Sequence, residues 1–292
     1  MRNIFVIAAI ALVSTAEPSH SVEFWRHIVN DKYAAPPGSD LGALTTELLE
    51  MLASPDPELR DDIAYSTLAT WIYQTRVIDA DALRPVVSQL LENLTKGVGE
   101  RGTDRIFKRS FSALTLSVAV ARDNAVPFLT PDEFHRIEHA ALAYLQAEQD
   151  LRGYEPERGW MHSAAHTADL LKFIARSRFL DRAGQRALLE AVAHKLHAST
   201  IVFTHGEDER FARAVLSIVN RSDFDRTAFS SWTSEAKPAR LNVRPTAVEL
   251  IGAQNVKNLL AKLDVLLDGD SSPSDAVQSA HSSVRTALKD AF

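Results

Sequence analysis

DALRPVVSQLLENL, residues 81–94, decides the fold class. Leu83, Val86, Val87, Leu90, Leu91 and Leu94 recur at intervals of three and four. That spacing lays them along one stripe of a helix and fits no strand. The pattern returns in both directions along the chain. Leu41, Leu44, Leu48, Leu49 and Leu52 form an earlier stripe, and Phe134, Ile137, Ala141, Tyr144 and Leu145 a later one. The later one follows Thr130-Pro131-Asp132-Glu133, a capping box with proline at the first helical position. Asp181 is placed to cap a helix carrying Leu188, Leu189, Val192 and Leu196, and Phe211, Ala214, Val215, Ile218 and Val219 mark another. Glycine and proline cluster between these segments, around 35–38, 54–57, 96–99 and 152–156. No strand alternation stands out, so an all-α chain is expected.

Short loops between amphipathic helices imply antiparallel neighbours. Asp56-Pro57-Glu58-Leu59-Arg60, followed by Ala64 and Leu68, resembles the second helix of a HEAT repeat. If helices alternate as outer and inner members of hairpins, inner ones start near Pro57, Asp104, Met161 and Glu207. Those intervals, about 47, 57 and 46 residues, compare with roughly 40–47 in HEAT and armadillo arrays, so the middle one needs an insertion at 150–160. The expected architecture is an irregular HEAT-like α-solenoid of about four to five antiparallel helical hairpins, with a compact non-repeating bundle as the alternative. Residues 237–244 read as a loop before a helix from about Ala247 to Leu267. A linker and a final helix then occupy 268–292.

The 292 residues, 46% hydrophobic and 24% charged, have the composition of a soluble globular protein, and the formal charge of −6 is mild. Without a concentrated basic surface, no nucleic-acid partner is expected. The absence of cysteine excludes disulfides, zinc–thiolate sites and thiol nucleophiles. At the N-terminus, Arg2 precedes an apolar run from Ile4 to Val13 and the small residues Ser14-Thr15-Ala16, the three-part pattern of a secretory signal. Residues 1–16 are therefore expected to be a signal peptide, with a retained anchor as the alternative. The domain would then occupy 17–267, exported to a periplasmic or extracellular compartment, with no membrane span after cleavage.

One stretch points to chemistry. GWMHSAAHTADLL, 159–171, sets His162, His166 and Asp169 within an arc of about 60° if the helix already includes His162. Two imidazoles and a carboxylate within one turn have the donor types of a Zn²⁺ site, though HSAAH lacks the glutamate of the zincin motif. Missing donors are expected from Thr204-His205-Gly206-Glu207-Asp208-Glu209-Arg210. There Glu207 and Asp208 project to the apolar side of their helix, while Glu209 and Arg210 do not. If the helices starting at Met161 and Glu207 are equivalent members of successive hairpins, their first turns meet. The bland reading is equally specific: His162 and His166 are structural, bonded to carbonyls or to Asp169. The pairs His135/His139 and His194/His197 lie off their apolar stripes, so exposure is expected there. Arg60, Asp61, Asp104, Lys108 and Arg109 read as braces between repeats or as a charged groove. No phosphate loop or GxSxG elbow occurs.

With these residues in view, the chain resembles an uncharacterised bacterial family, domain of unknown function 2785. The resemblance lies in SPDPELRDDIAY (54–65), GERGTDRIFKRSFSAL (99–114), DLRGYEPERGWMHSAAHTADLL (150–171) and FTHGEDERFARAV (203–215). It implies an all-helical fold and assigns no activity. Two functional expectations follow from the residues. The first is an exported module that binds a small ligand or a protein on its inner-helix face, with Trp160, Tyr154, Arg158, Asp208 and Arg210 at the site. The second is a metal-dependent hydrolase with a divalent metal as cofactor, His162, His166, Asp169 and Glu207 as ligands, and Glu207 or Asp208 as base. A purely structural part of an envelope assembly is the third possibility.

Overall fold

The structure, a computed structural model, describes residues 20–236, 244–269 and 271–290. The expected signal segment 1–16 lies outside the described residues, as does the expected loop before Ala247 apart from Arg244 and the residues after it.

Local signals start most helices. Ser21 caps α1 (Val22–Asn30), Asp40 caps α2 (Leu41–Met51) and Asp79 caps α4 (Ala80–Asn93), each accepting a first-turn N–H that would otherwise be unpaired. Between α2 and α4 a helix that we number α3 runs over 58–74. It has wide π-helical turns at Glu58–Tyr65 and Thr70–Gln74 on either side of an α-helical Ser66–Ala69. Then come α5 (Arg105–Ala125), α6 (Pro131–Ala147) behind the complete Thr130/Glu133 capping box, α7 (Ser163–Ile174), and α8 (Arg182–Ala198) capped by Asp181. The chain continues through α9 (Glu207–Val219), α10 (Arg226–Ala236), α11 (Ala247–Asp268) and α12 (Asp275–Asp290). Thr246 and Glu249 close a second capping box at α11. The protein is all-α, and the expected inner-helix starts fall within a residue or two of observed helix starts.

Packing follows alternate helices. The C-terminal part of α3 lies against α5, α5 against α7, α7 against α9, and α9 against α11. On the other side α4 covers α5, α6 covers α7 and α8, and α8 also meets α10 and α11. Helices α5 and α7 thus have neighbours all round. Their composition permits it: Ser110, Ser112, Ala113, Ser117 and Ala119 on α5, and Ser163, Ala164, Ala165 and Ala168 on α7, are buried small residues that let adjacent backbones approach. At the end of the chain α12 packs on α10 and α11, burying Val277, Ala280, Val284 and Ala287. The terminal segment is therefore a packed cover over those helices.

One element was not expected. Tyr154–Glu155 (β1) and Gly159–Trp160 (β2) form a two-stranded antiparallel hairpin inside the 150–160 insertion. It lies beside the starts of α3, α5, α7 and α9, and there the polar residues gather.

Candidate functional site at the helix starts under the hairpin

His162 does not belong to α7. It is the residue before the helix, in the left-handed region at φ 49°, so the helical arc joining it to His166 and Asp169 does not hold. Two bonds set this entry: Met161 N–H donates to Gly153 O and His162 N–H to Arg152 O, tying α7 to the base of the hairpin. Nor is there a polar margin on α7, since Ser163 through Leu171 are all buried. His162 and His166 are 4% and 5% exposed, and Glu207 is 2% exposed.

Each imidazole is held by one nitrogen. His162 Nε2 donates to His205 O at 3.0 Å and lies 3.5 Å from Glu207 Oε1. The Ser110 hydroxyl gives its hydrogen to Met161 O, so His166 Nδ1 donates to Ser110 Oγ at 2.8 Å. In the neutral rings the remaining nitrogens, Nδ1 of His162 and Nε2 of His166, are acceptors, and neither has a hydrogen-bond partner among the described residues. Trp160 stacks on His162 at 4.5 Å between centroids, Tyr154 lies 4.9 Å from Trp160, and the two imidazoles meet edge to face at 5.7 Å.

Burial pushes the His166 imidazole well below its usual value, and nearby His162, Arg210 and Arg60 push the same way. For Glu207, burial alone would raise the carboxyl. The hydrogen bond with His162 and the backbone N–H groups of Glu207 and His205 outweigh it and hold the group below its usual range.

The other expected site residues are placed less uniformly. Asp169 meets no histidine; its carboxylate is paired with Arg210 from α9 and with Lys172 Nζ at 2.9 Å. Arg210, which the helical projection left off the apolar side, is thus part of the site, because a long guanidinium reaches across to α7. Asp208, expected to point inward, is only partly buried and accepts the N–H of Glu209 at 2.9 Å. Arg158 pairs with Asp104, and its carbonyl accepts Arg60 Nη2 at 2.8 Å. Among the described residues, no group of three or more histidine, aspartate or glutamate side chains converges as a metal-binding set.

Several participants carried no local signal. Ser110 on α5 sets the His166 tautomer. Tyr65 on α3 faces Phe111 at 6.2 Å, and Phe111 in turn faces His166 at 4.9 Å. Burial, with Asp169 nearby, pushes the Tyr65 phenol up to about 12, and its hydroxyl has no hydrogen-bond partner among the described residues. Arg60, fully buried, stacks over Phe107 and Phe111 at 4.1 and 4.9 Å and pairs with Asp61. Burial pushes the Asp61 carboxyl up to about 6 despite that pairing. Arg60 and Asp61 were expected only as braces or groove charges; they border this site.

An all-helical domain with a polar site at the junction of four helix starts is the class that fold and site define. A family model described as "Protein of unknown function (DUF2785)" matches residues 94–266, more than half of the chain, and the chain belongs to that family. None of the curated proteins or solved structures compared with the chain matches it. No helix among the described residues is long and apolar enough to cross a membrane.

Proposed function

We propose that this protein is a ligand-binding module that takes up a small polar molecule at the junction of α3, α5, α7, α9 and the hairpin. One observation carries the reading: two imidazoles, each more than nine-tenths buried, use one nitrogen for the protein and leave the other without a protein partner. Neither free nitrogen is among the fully buried side-chain atoms without a partner, so each keeps some contact with solvent and can accept a hydrogen bond from an outside donor. The α-solenoid reading, in which equivalent helices stack flank to flank, supports an inner-face site, and Trp160, Tyr154, Asp169 and Arg210 border it. Action outside the cytoplasm is part of the proposal and rests on the pattern of residues 1–16 alone.

Thermal denaturation against a panel of sugars, amino acids, nucleosides, sugar acids, phosphates and divalent metals tests this reading. A ligand at a hundredfold excess over its Kd adds ~2.7 kcal/mol, or about 5–10 °C for a domain of this size. The shift is expected in the wild type and lost in Trp160→Ala and Arg210→Ala with helicity retained. No shift with any class, or shifts indifferent to both substitutions, overturns it.

A metal-dependent hydrolase is the second reading, favoured by the 3.5 Å approach of His162 to Glu207. It requires Asp169 to leave Arg210 and Lys172, and the charges of Arg210 and Arg60 near His166 oppose a second cation. Close to one equivalent of bound metal, lost in His166→Ala, would establish it.

A further inference from the structure

We infer that the protein carries a second binding site, for a phosphoryl group, in a surface depression of about 470 Å³ where α7 and α9 end. It lies at the far end of these helices from the hairpin; the 12 residues of α7 alone span about 18 Å. Arg176 and Arg178, just after α7, form one side of the depression. Asn220, Arg221 and Ser222, just after α9, form the other, with Ser217 from the last turn of α9. The volume falls within the roughly 300–1,000 Å³ of small-molecule sites.

The three arginines differ in what they have left to give. Arg221 has every N–H in use: it donates to the carbonyls of Ala175, Ser177 and Leu180 and to both oxygens of Asp223. It thereby covers the carbonyl end of α7, whose partial negative charge would otherwise repel an anion. Arg178 turns both Nη groups toward Asp123 and Leu129 O. Arg176 has no carboxylate partner and no partner for either Nη group among the described residues. It is nevertheless held in place. Its Nε donates to Ser217 Oγ at 3.0 Å, and the Phe173 ring lies 5.3 Å from its Cζ.

Charge and donor type then select the ligand. Three arginines face two carboxylates, Asp123 and Asp223, so the depression keeps a positive excess. The side chains of Asn220 and Ser222 also have no partner among the described residues. Arg176 thus offers an N–H fork from the α7 side, and Asn220 and Ser222 offer donors from the α9 side. A carboxylate would fill the fork with both its oxygens and leave the second set unpaired. A phosphomonoester carries three terminal oxygens and about 1.5–2 negative charges, enough to engage both sets.

Calorimetric titration of the full chain tests this with inorganic phosphate, glycerol 3-phosphate and glucose 6-phosphate. Glucose and glucuronate are the contrasts, and phosphatidylcholine vesicles with and without phosphatidic acid probe a lipid source of the same group. Saturable binding is expected, weaker for glucuronate than for glucose 6-phosphate and falling as salt rises. Arg176→Gln should weaken it about tenfold, Arg176→Lys should recover only part because an ammonium has no fork, and Asn220→Ala should weaken it several-fold. Arg176 is exposed, so its variants should melt with the wild type. Trp160→Ala and Arg210→Ala should leave this binding unchanged, which separates it from the site under the hairpin. Binding of the soluble phosphates identifies a free phosphomonoester as the ligand; binding of phosphatidic acid vesicles alone identifies a lipid headgroup. No binding by any phosphate at millimolar concentration or by the vesicles overturns the proposal. So does binding indifferent to Arg176→Gln, or glucuronate binding as tight as that of glucose 6-phosphate.

Discussion

Ser110 Oγ lies 2.8 Å from Nδ1 of His166, a residue 56 positions along the chain, and passes its own hydrogen to the carbonyl of Met161. The serine therefore joins α5 to both the entry and the first turn of α7. It also leaves His166 with its lone pair on Nε2. Ser110→Ala strands a buried N–H and weakens the carbonyl's satisfaction, a loss of ~1–3 kcal/mol in urea unfolding. Nitrogen-detected NMR of the wild type should show the Nδ1–H tautomer at His166. An Nε2–H tautomer would refute the assignment.

The depressed imidazole of His166 also fixes a sign for acid stability. Its folded value lies below 6.5. As pH falls from 6.5 toward that value, the unfolded chain binds a proton that the folded chain refuses. The contribution is thus fully present above about 6.5 and lost below it. Burial depresses His197 in the same direction, while Asp61, raised to about 6, works oppositely and gains stability as pH falls through that value. Urea midpoints followed from about pH 8 to about pH 5 should fall less steeply in His166→Asn than in the wild type. An equal slope would mean that the ring already protonates in the folded state.

The boundary between what was legible in the sequence and what was not follows the range of the interactions. Capping residues act within four positions, so Thr130 and Asp181 could be read directly, whereas the inner helices start without a side-chain cap and were placed by the repeat spacing. Helices α5 and α7 escaped the one-stripe description because small serines and alanines carry no strong stripe, yet they allow burial on every side. The hairpin is two residues per strand, too short for alternation to register. His162 was misplaced on a helical wheel because its left-handed backbone is dictated by bonds to Gly153 and Arg152. The coming together of His162 and Glu207 was foreseeable only through the pairing of successive hairpins. Tyr65 and Ser110 enter through α3–α5–α7 packing, which no single segment encodes.

Arg109 and Glu148 form an ion pair 2.6 Å long, 0% and 3% exposed, that fastens α5 to the end of α6. Glu148 Oε1 also accepts the backbone N–H groups of Gln149 and Asp150, positioning the chain as it enters the insertion. Arg109→Met strands a buried carboxylate and should cost about 3–5 kcal/mol. Combining it with Glu148→Gln removes the charge while keeping an acceptor for those amides. The double variant should therefore be less destabilised than the sum of the singles. Strict additivity in the cycle would show that the pair is not coupled.

Gly159 sits in the hairpin at φ 71°, a conformation costing an L-residue about 1–2 kcal/mol. A Cβ there would also stand 3.1 Å from both Arg60 Nη2 and Pro57 Cβ. Arg60 is held in place by Ser54 O, Asp61 and Arg158 O, so it has little freedom to yield. Gly159→Ala combines both penalties and should lower the melting temperature by about 2–8 °C. Gly159→Asn separates them, because asparagine tolerates the left-handed backbone while still carrying the Cβ. If backbone strain dominates, asparagine recovers most of the loss. If contact with Arg60 dominates, both variants fall alike.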